Sequence, residues 1–215
     1  MFILTNNEFA WFVVSKISAL LEFPYMSDLK LENGELLFDG AKAFLGVNEI
    51  LKTSNLNDVM RFREERYINS LVYTCLFGCI IGNSCAAQHL VFSTDMNGNI
   101  NPTAFELVGD CLYSCSWSAL SSMNNTYRMK WLDDKIDFTI HAVLDLINFD
   151  TQILNIFTYY LMKLRKKVRS IKKELKESIE SICIENNYDE DISDIIMSVI
   201  ELSIDNLDFY FSKNF

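Results

Sequence analysis

An all-α fold follows from three features of this chain. Seven Gly and two Pro serve 215 residues, too few for the turn residues that a β fold spends at every hairpin. Half of the residues are apolar and 13% are aromatic, enough for a sizeable core. Apolar residues recur at spacings of three and four over long stretches, the period of a helix with one buried face. No repeat, flexible linker or low-complexity tract divides the chain. The expectation is one domain over residues 1–215, a helical bundle of about seven or eight helices. Residues 1–150 form its core, and 151–215 form a long C-terminal helical hairpin.

The elements follow in order. Thr5 and Glu8 match a capping box, and Phe9, Phe12, Val13, Ile17 and Leu20 continue as one apolar face, so a first helix spans about 6–22. Phe23-Pro24 stops it. A loop over 24–37 holds Asn33-Gly34 and a short extended piece. A second helix is expected over about 38–53 and a third over about 58–81, charged at first and then wholly apolar. A short fourth runs from a Ser84 cap to about 93. Asp95 to Asn99 is a turn. Asn101-Pro102, a cap followed by a first-turn proline, opens a fifth helix reaching Met123. A sixth spans about 127–148, a seventh 151–185 with a stop at Asn186-Asn187, and an eighth 190–212.

Charge is divided unevenly. Lys163, Arg165, Lys166, Lys167, Arg169, Lys172, Lys173 and Lys176 are eight of the nineteen basic residues, with only Glu174 among them. The remainder holds eleven bases against twenty-eight acids, a net of −17. Leu154, Phe157, Leu161, Leu164, Val168, Ile171, Leu175 and Ile182 form a coiled-coil-like seam on the same helix, with Ser178 in the one gap. Residues 177–215 carry ten acids and one base, Lys213. A turn at Asn187-Tyr188 brings Glu201 near Lys176, Asp205 near Lys172 and Asp208 near Arg169. Ile195, Ile196, Val199, Leu202 and Phe209 then face the seam. The basic stripe is either answered in this way or left as an anion-docking surface. A homodimer through the 154–182 seam is the third use of the pattern.

Asp134, Asp137, His141 and Asp145 recur at three or four residues on one helical face beside Asp133. Leu132, Ile136, Ile140, Val143 and Ile147 cluster opposite. The acidic face is therefore expected in solvent, where it suits a basic protein partner. Asp133-Asp134-x-x-Asp137 also matches the aspartate-rich signature of prenyl-diphosphate enzymes. No second acidic motif accompanies it and the chain is short for that fold, so the match is set aside. Glu106 and Asp110, i and i+4 in apolar surroundings, give with Asp137 and His141 the donor types of a metal-dependent hydrolase. Cys75, Cys79, Cys111 and Cys115 form two i,i+4 pairs on separate expected helices. Without C-x-x-C spacing they fit small buried groups better than a metal site.

No phosphate-binding glycine loop, nucleophile elbow or zinc-protease helix occurs. His89 and His141 are the only histidines, which leaves few bases for nucleophilic catalysis. No cofactor is implied. A net charge of −10 weighs against nucleic acid, whose phosphates repel it. Residues 67–94 carry no Asp, Glu, Lys or Arg, but the dense apolar run is only 71–81, short of a span. The segment, or the basic stripe, is the basis of a membrane-associated alternative. With no leader pattern and unpaired cysteines, a cytoplasmic protein is expected. The leading expectation is an acidic, non-catalytic binding module of the inhibitor, immunity or adaptor kind, acting by stoichiometric contact with a basic protein.

Overall fold

The structure is a computed structural model that describes residues 6–23, 29–38, 41–42, 65–83, 90–94, 100–105, 110–146 and 151–214. These are mostly helical. The helices are α1 (Asn6–Leu20), α2 (Glu65–Ile80), α3 (Trp117–Ser122), α4 (Asn125–Leu146), α5 (Thr151–Glu185) and α6 (Glu190–Asn214). One turn of 3-10 helix, Ser114–Ser116, leads into α3. The strands are β1 (Leu29–Glu32), β2 (Glu35–Phe38), β3 (Ala41–Lys42), β4 (Leu90–Thr94) and β5 (Ile100–Phe105). Thr5, Glu106 and residues 43–53 of the expected second helix lie outside the described residues.

Two antiparallel sheets are present, the first mostly within the expected 24–37 loop with its extended piece and the second where helix was expected. In the first, the order is β1-β2-β3 and Glu32 pairs with Glu35 across Asn33-Gly34. Both turn residues have positive φ, 52° and 78°, as the tight hairpin turn with the twist of its strands requires. The strand then runs through Phe38, where helix was expected to begin. In the second sheet β4 pairs with β5, replacing the end of the expected fourth helix and the start of the fifth. Pro102 stands opposite Phe92, beside a register shift at Val91/Phe92. Proline cannot donate to the ladder and is accommodated at such irregularities. Leu90-Val91-Phe92-Ser93-Thr94 is rich in β-branched and aromatic residues, and that propensity prevails over the helix-start signal of Asn101-Pro102.

Three helices end in the same left-handed cap. Glu22, Gly82 and Asn187 have φ of 61°, 63° and 62°. The next amide bonds back five residues: Phe23 to Ser18, Asn83 to Gly78, and Tyr188 to Cys183. This pattern satisfies carbonyls that the helix end leaves open. Gly82 directly follows the expected third helix, and it is the cap that ends α2.

The buried side chains form one contiguous cluster drawn from α1, α2, α4, α5 and α6. Phe9 stacks on Tyr188 at 3.9 Å between ring centroids and meets Trp117 edge-on. Leu112 and Tyr113 both have positive φ, 54° and 53°, which breaks the expected helix before Met123. Leu112 N–H donates to Ile81 O at 2.7 Å, Trp117 Nε1 donates to Leu112 O at 2.9 Å, and Tyr113 Oη lies 3.0 Å from Thr139 Oγ1. These contacts hold a corner that a non-glycine backbone otherwise avoids.

Phe157, Leu161, Leu164, Val168 and Leu175 of the expected seam are buried. Further along, the buried positions become Ile179 and Cys183, with Ile171 and Ile182 only partly covered. A strict seven-residue repeat drifts by about 20° per heptad on a straight helix, so the buried line moves off the predicted one. The seam is occupied within the chain. Ion pairs Lys172–Glu201 and Arg165–Asp208, each at 2.7 Å, order α5 and α6 antiparallel. Both carboxylates sit about one helical turn from the basic residues predicted for them. Among the described residues no helix is long and apolar enough to cross a membrane.

Candidate functional site

The acidic face of α4 lies against α6, and a groove of about 360 Å³ runs between them. Asp133, Asp134, Asp137 and His141 line it from α4; Asn206, Phe209 and Tyr210 line it from α6. The alternation of α4 explains its wall. Leu132, Ile136, Ile140 and Val143 are buried, which turns Asp133, Asp134, Asp137, His141 and Asp145 to the surface. The residues of α6 that meet them are held by Ile200, Ile204, Leu207 and Phe211 in the core.

Several internal contacts cross or line the groove. Asn206 Nδ2 donates to Asp133 Oδ1 at 2.9 Å. His141 Nδ1 lies 2.9 Å from the Asp137 carbonyl oxygen and 3.5 Å from its carboxylate. The His141 ring meets Tyr210 edge-on at 5.5 Å. Burial raises the Tyr210 phenol pKa, and the nearby Asp145 carboxylate adds to the shift. Phe209 is 59% exposed and Phe138, also on α4, is 67% exposed. Phe209 was expected to face the seam. At about 100° per residue it falls roughly 150° from the centre of the buried face of α6, which explains its exposure.

The basic stripe divides into two sets. Arg165, Lys172 and Lys176 reach α6 at Asp208, Glu201 and Asp194. Lys176 also reaches Glu180, and the acidic partners raise its pKa, the Asp194 hydrogen bond most. Lys167 bonds Glu22 at the end of α1, and that contact lowers the Glu22 pKa. Lys163, Lys166 and Arg169 make no ion pair with a described carboxylate. Lys173 meets only Glu177 of its own helix, at 3.6 Å. A shallow depression lined by Arg165, Arg169, Lys172, Glu201 and Asp205 lies along the α5–α6 boundary.

Asp110 is a turn-forming residue. Its Oδ1 accepts the Cys115 N–H at 2.9 Å and lies 2.8 Å from Ser114 Oγ, which is also 2.6 Å from Asn7 Oδ1. This ties the strained corner to the start of α1. Among the described residues no three His, Cys, Asp or Glu side chains converge as a metal-ligand group. Asp110 and the Asp137–His141 pair are thus not brought together, and Glu106 lies outside the described residues.

The expectation that Cys111 and Cys115 share a second helix is corrected. Cys75 and Cys79 lie on α2, but Cys111 precedes the 3-10 turn and Cys115 lies within it. Cys75, Cys79 and Cys111 are fully buried and Cys115 is exposed. Burial pushes the Cys75 thiol up to about 12 and the Cys79 and Cys111 thiols well upward, which holds all three neutral. Compared with protein-family models, curated proteins and solved structures, the chain matches none.

Proposed function

We propose that the protein is a non-catalytic binding module that engages a basic protein partner through the α4–α6 groove. The observation that carries this reading is the composition of the groove. Exposed Asp133, Asp134 and Asp137 line the same groove as an exposed aromatic ring, Phe209. Aromatic anchors within a charged rim are the usual source of interface affinity and selectivity. A basic partner would gain the rim contacts mainly in on-rate and specificity, and the Phe209 contact in residence time. Asp145 and Phe138 extend the same surface along α4. In this reading residues 1–215 form one domain, and the α5–α6 helical hairpin supplies one wall of the groove.

Affinity capture with the native protein tests the proposal. The wild type is expected to retain a stoichiometric basic protein. D133K/D134K/D137K and F209A should each release it while keeping the helical circular dichroism and melting temperature of the parent. Capture that is indifferent to both variants places the partner elsewhere. A metal retained without any protein favours the hydrolase alternative.

A further inference from the structure

Lys163, Lys166, Arg169 and Lys173 are the bases of α5 that the fold leaves outward. At about 100° per residue they fall within an arc of roughly 120°. That arc is opposite Phe157, Leu161, Leu164, Val168 and Leu175, which are buried. Lys163 influences Glu22 without pairing with it, and the Lys173 side chain is 89% exposed. Tyr159 and Met162 continue the same arc toward the start of α5, at 64% and 66% exposure. From Tyr159 to Lys173 the rank is about 21 Å long at 1.5 Å per residue.

We infer that this ridge docks the protein on an anionic lipid surface. Three carboxylates of α6 that face α5, Asp208, Glu201 and Asp194, are already engaged with Arg165, Lys172 and Lys176, so they do little to cancel the outward set. Asp205 shares a depression with Arg169 alone of that set. The acidic face of α4 lies across α6. Adjacent helix axes are about 8–10 Å apart, while the screening length at physiological salt is about 8 Å. The ridge therefore presents a local positive potential despite the net charge of −10.

Its shape favours a plane over a strand of nucleic acid. The cations stand in line along the outward face of one helix, and the shallow depression beside Arg169 and Lys173 is also lined by Glu177 and Glu180, which suits a phosphate backbone poorly. One aromatic, Tyr159, accompanies them, where single-strand binding uses several as stacking platforms. Tyr and Met suit the boundary between headgroups and acyl chains, and the lysine stems can lie along it with their ammonium groups at the phosphates. The site is distinct from the α4–α6 groove.

Vesicle flotation of the full chain tests the inference. The protein should float with phosphatidylcholine vesicles containing phosphatidylserine, not with phosphatidylcholine alone, and less so as salt rises. Each cation near such a surface contributes about fivefold in binding, so K163E/K166E should lose about 25-fold or more. K172Q/K176Q, which alters the inward set, should bind within about threefold of the parent, because those cations are already paired. D133K/D134K/D137K should still float, which separates this site from the groove. No flotation at low salt overturns the inference, as does equal loss from inward and outward variants. Tighter binding to single-stranded DNA than to the anionic vesicles at the same salt assigns the ridge to nucleic acid instead.

Discussion

Gly82 lies under the ring of Tyr113 so closely that a Cβ at residue 82 would stand 2.7 Å from Tyr113 Cε2. The ring cannot easily retreat, because Tyr113 Oη is 3.0 Å from Thr139 Oγ1 on α4 and the ring packs edge-on against Trp131. Gly82 also has φ of 63° as the cap of α2. One glycine thus joins the end of α2 to the 110–116 corner and the middle of α4.

Gly82→Ala should therefore destabilise the protein through two effects. A left-handed conformation costs a residue with a Cβ about 1–2 kcal/mol. The clash with Tyr113 adds a packing cost of about 1–3 kcal/mol. Y113F should lose only about 1 kcal/mol, the net worth of one hydrogen bond. Urea unfolding followed by circular dichroism measures both. A neutral G82A would show that the corner shifts freely.

The ion pairs between α5 and α6 should matter far less than the apolar contacts beneath them. The Lys172 and Glu201 side chains are 58% and 40% exposed, and exposed pairs contribute about 0.2–1 kcal/mol. K172A is expected to fall in that range, less so in high salt. L175A removes a fully buried side chain and should cost about 2–5 kcal/mol. Equal losses from the two variants would show that charge, not burial, joins these helices.

Much of this arrangement was legible in the sequence where one period persisted. The apolar repeat of Leu154 to Leu175 and the stop at Asn186-Asn187 gave α5, whose bounds are Thr151–Glu185. The opposed apolar and acidic positions of α4 gave the exposed Asp133–Asp145 face. What periodicity could not set was register: Glu201 meets Lys172, a turn away from Lys176. Short apolar runs were also ambiguous between helix and strand. Leu90–Thr94 is one such run, and its pairing with Ile100–Phe105 depends on a partner strand that local pattern does not reveal. The groove itself required α6 to pass beside α4, so Asn206, Phe209 and Tyr210 had no sequence signal linking them to Asp133. Phe209 alone was accessible to helical projection.

Stability should decline in alkali as buried thiols ionise. Burial raises the Cys183 thiol from its ordinary 9.0 to about 11 and the Cys75 thiol to about 12. The unfolded chain releases these protons near pH 9, whereas the folded chain retains them, so the unfolded state binds fewer protons above that pH. Their contribution is complete below pH 9 and is lost as pH rises toward 11 for Cys183 and 12 for Cys75. Unfolding at a series of pH values should show this slope, and Cys183→Ala should make it shallower between 9 and 11. An unchanged slope would assign the alkaline loss to other groups. Below pH 8, a thiol reagent should, among the described cysteines, modify exposed Cys115 first and the buried thiols only on unfolding.

The last prediction concerns removal of residues 189–215. α6 contributes Ile192, Ile195, Ile196, Val199, Ile200, Ile204, Leu207 and Phe211 to the buried cluster. Its loss uncovers Leu161, Leu164, Val168 and Leu175 on α5 and deprives Arg165, Lys172 and Lys176 of Asp208, Glu201 and Asp194. Apolar surface on this scale is about 25 cal/mol for each Å² exposed, far more than the ion pairs supply. The truncated chain should therefore aggregate or persist as a loosely packed helical state. Whatever remains soluble should bind polyanions in a salt-sensitive way and more strongly than the intact protein, since the inward cations are now open. The intact protein supplies the comparison, because α6 is tethered by the short turn at Asn186–Asp189 and outcompetes a free ligand for α5. A truncated chain that stays monomeric, folded and as stable as its parent would show that α6 is peripheral and that the core closes without it.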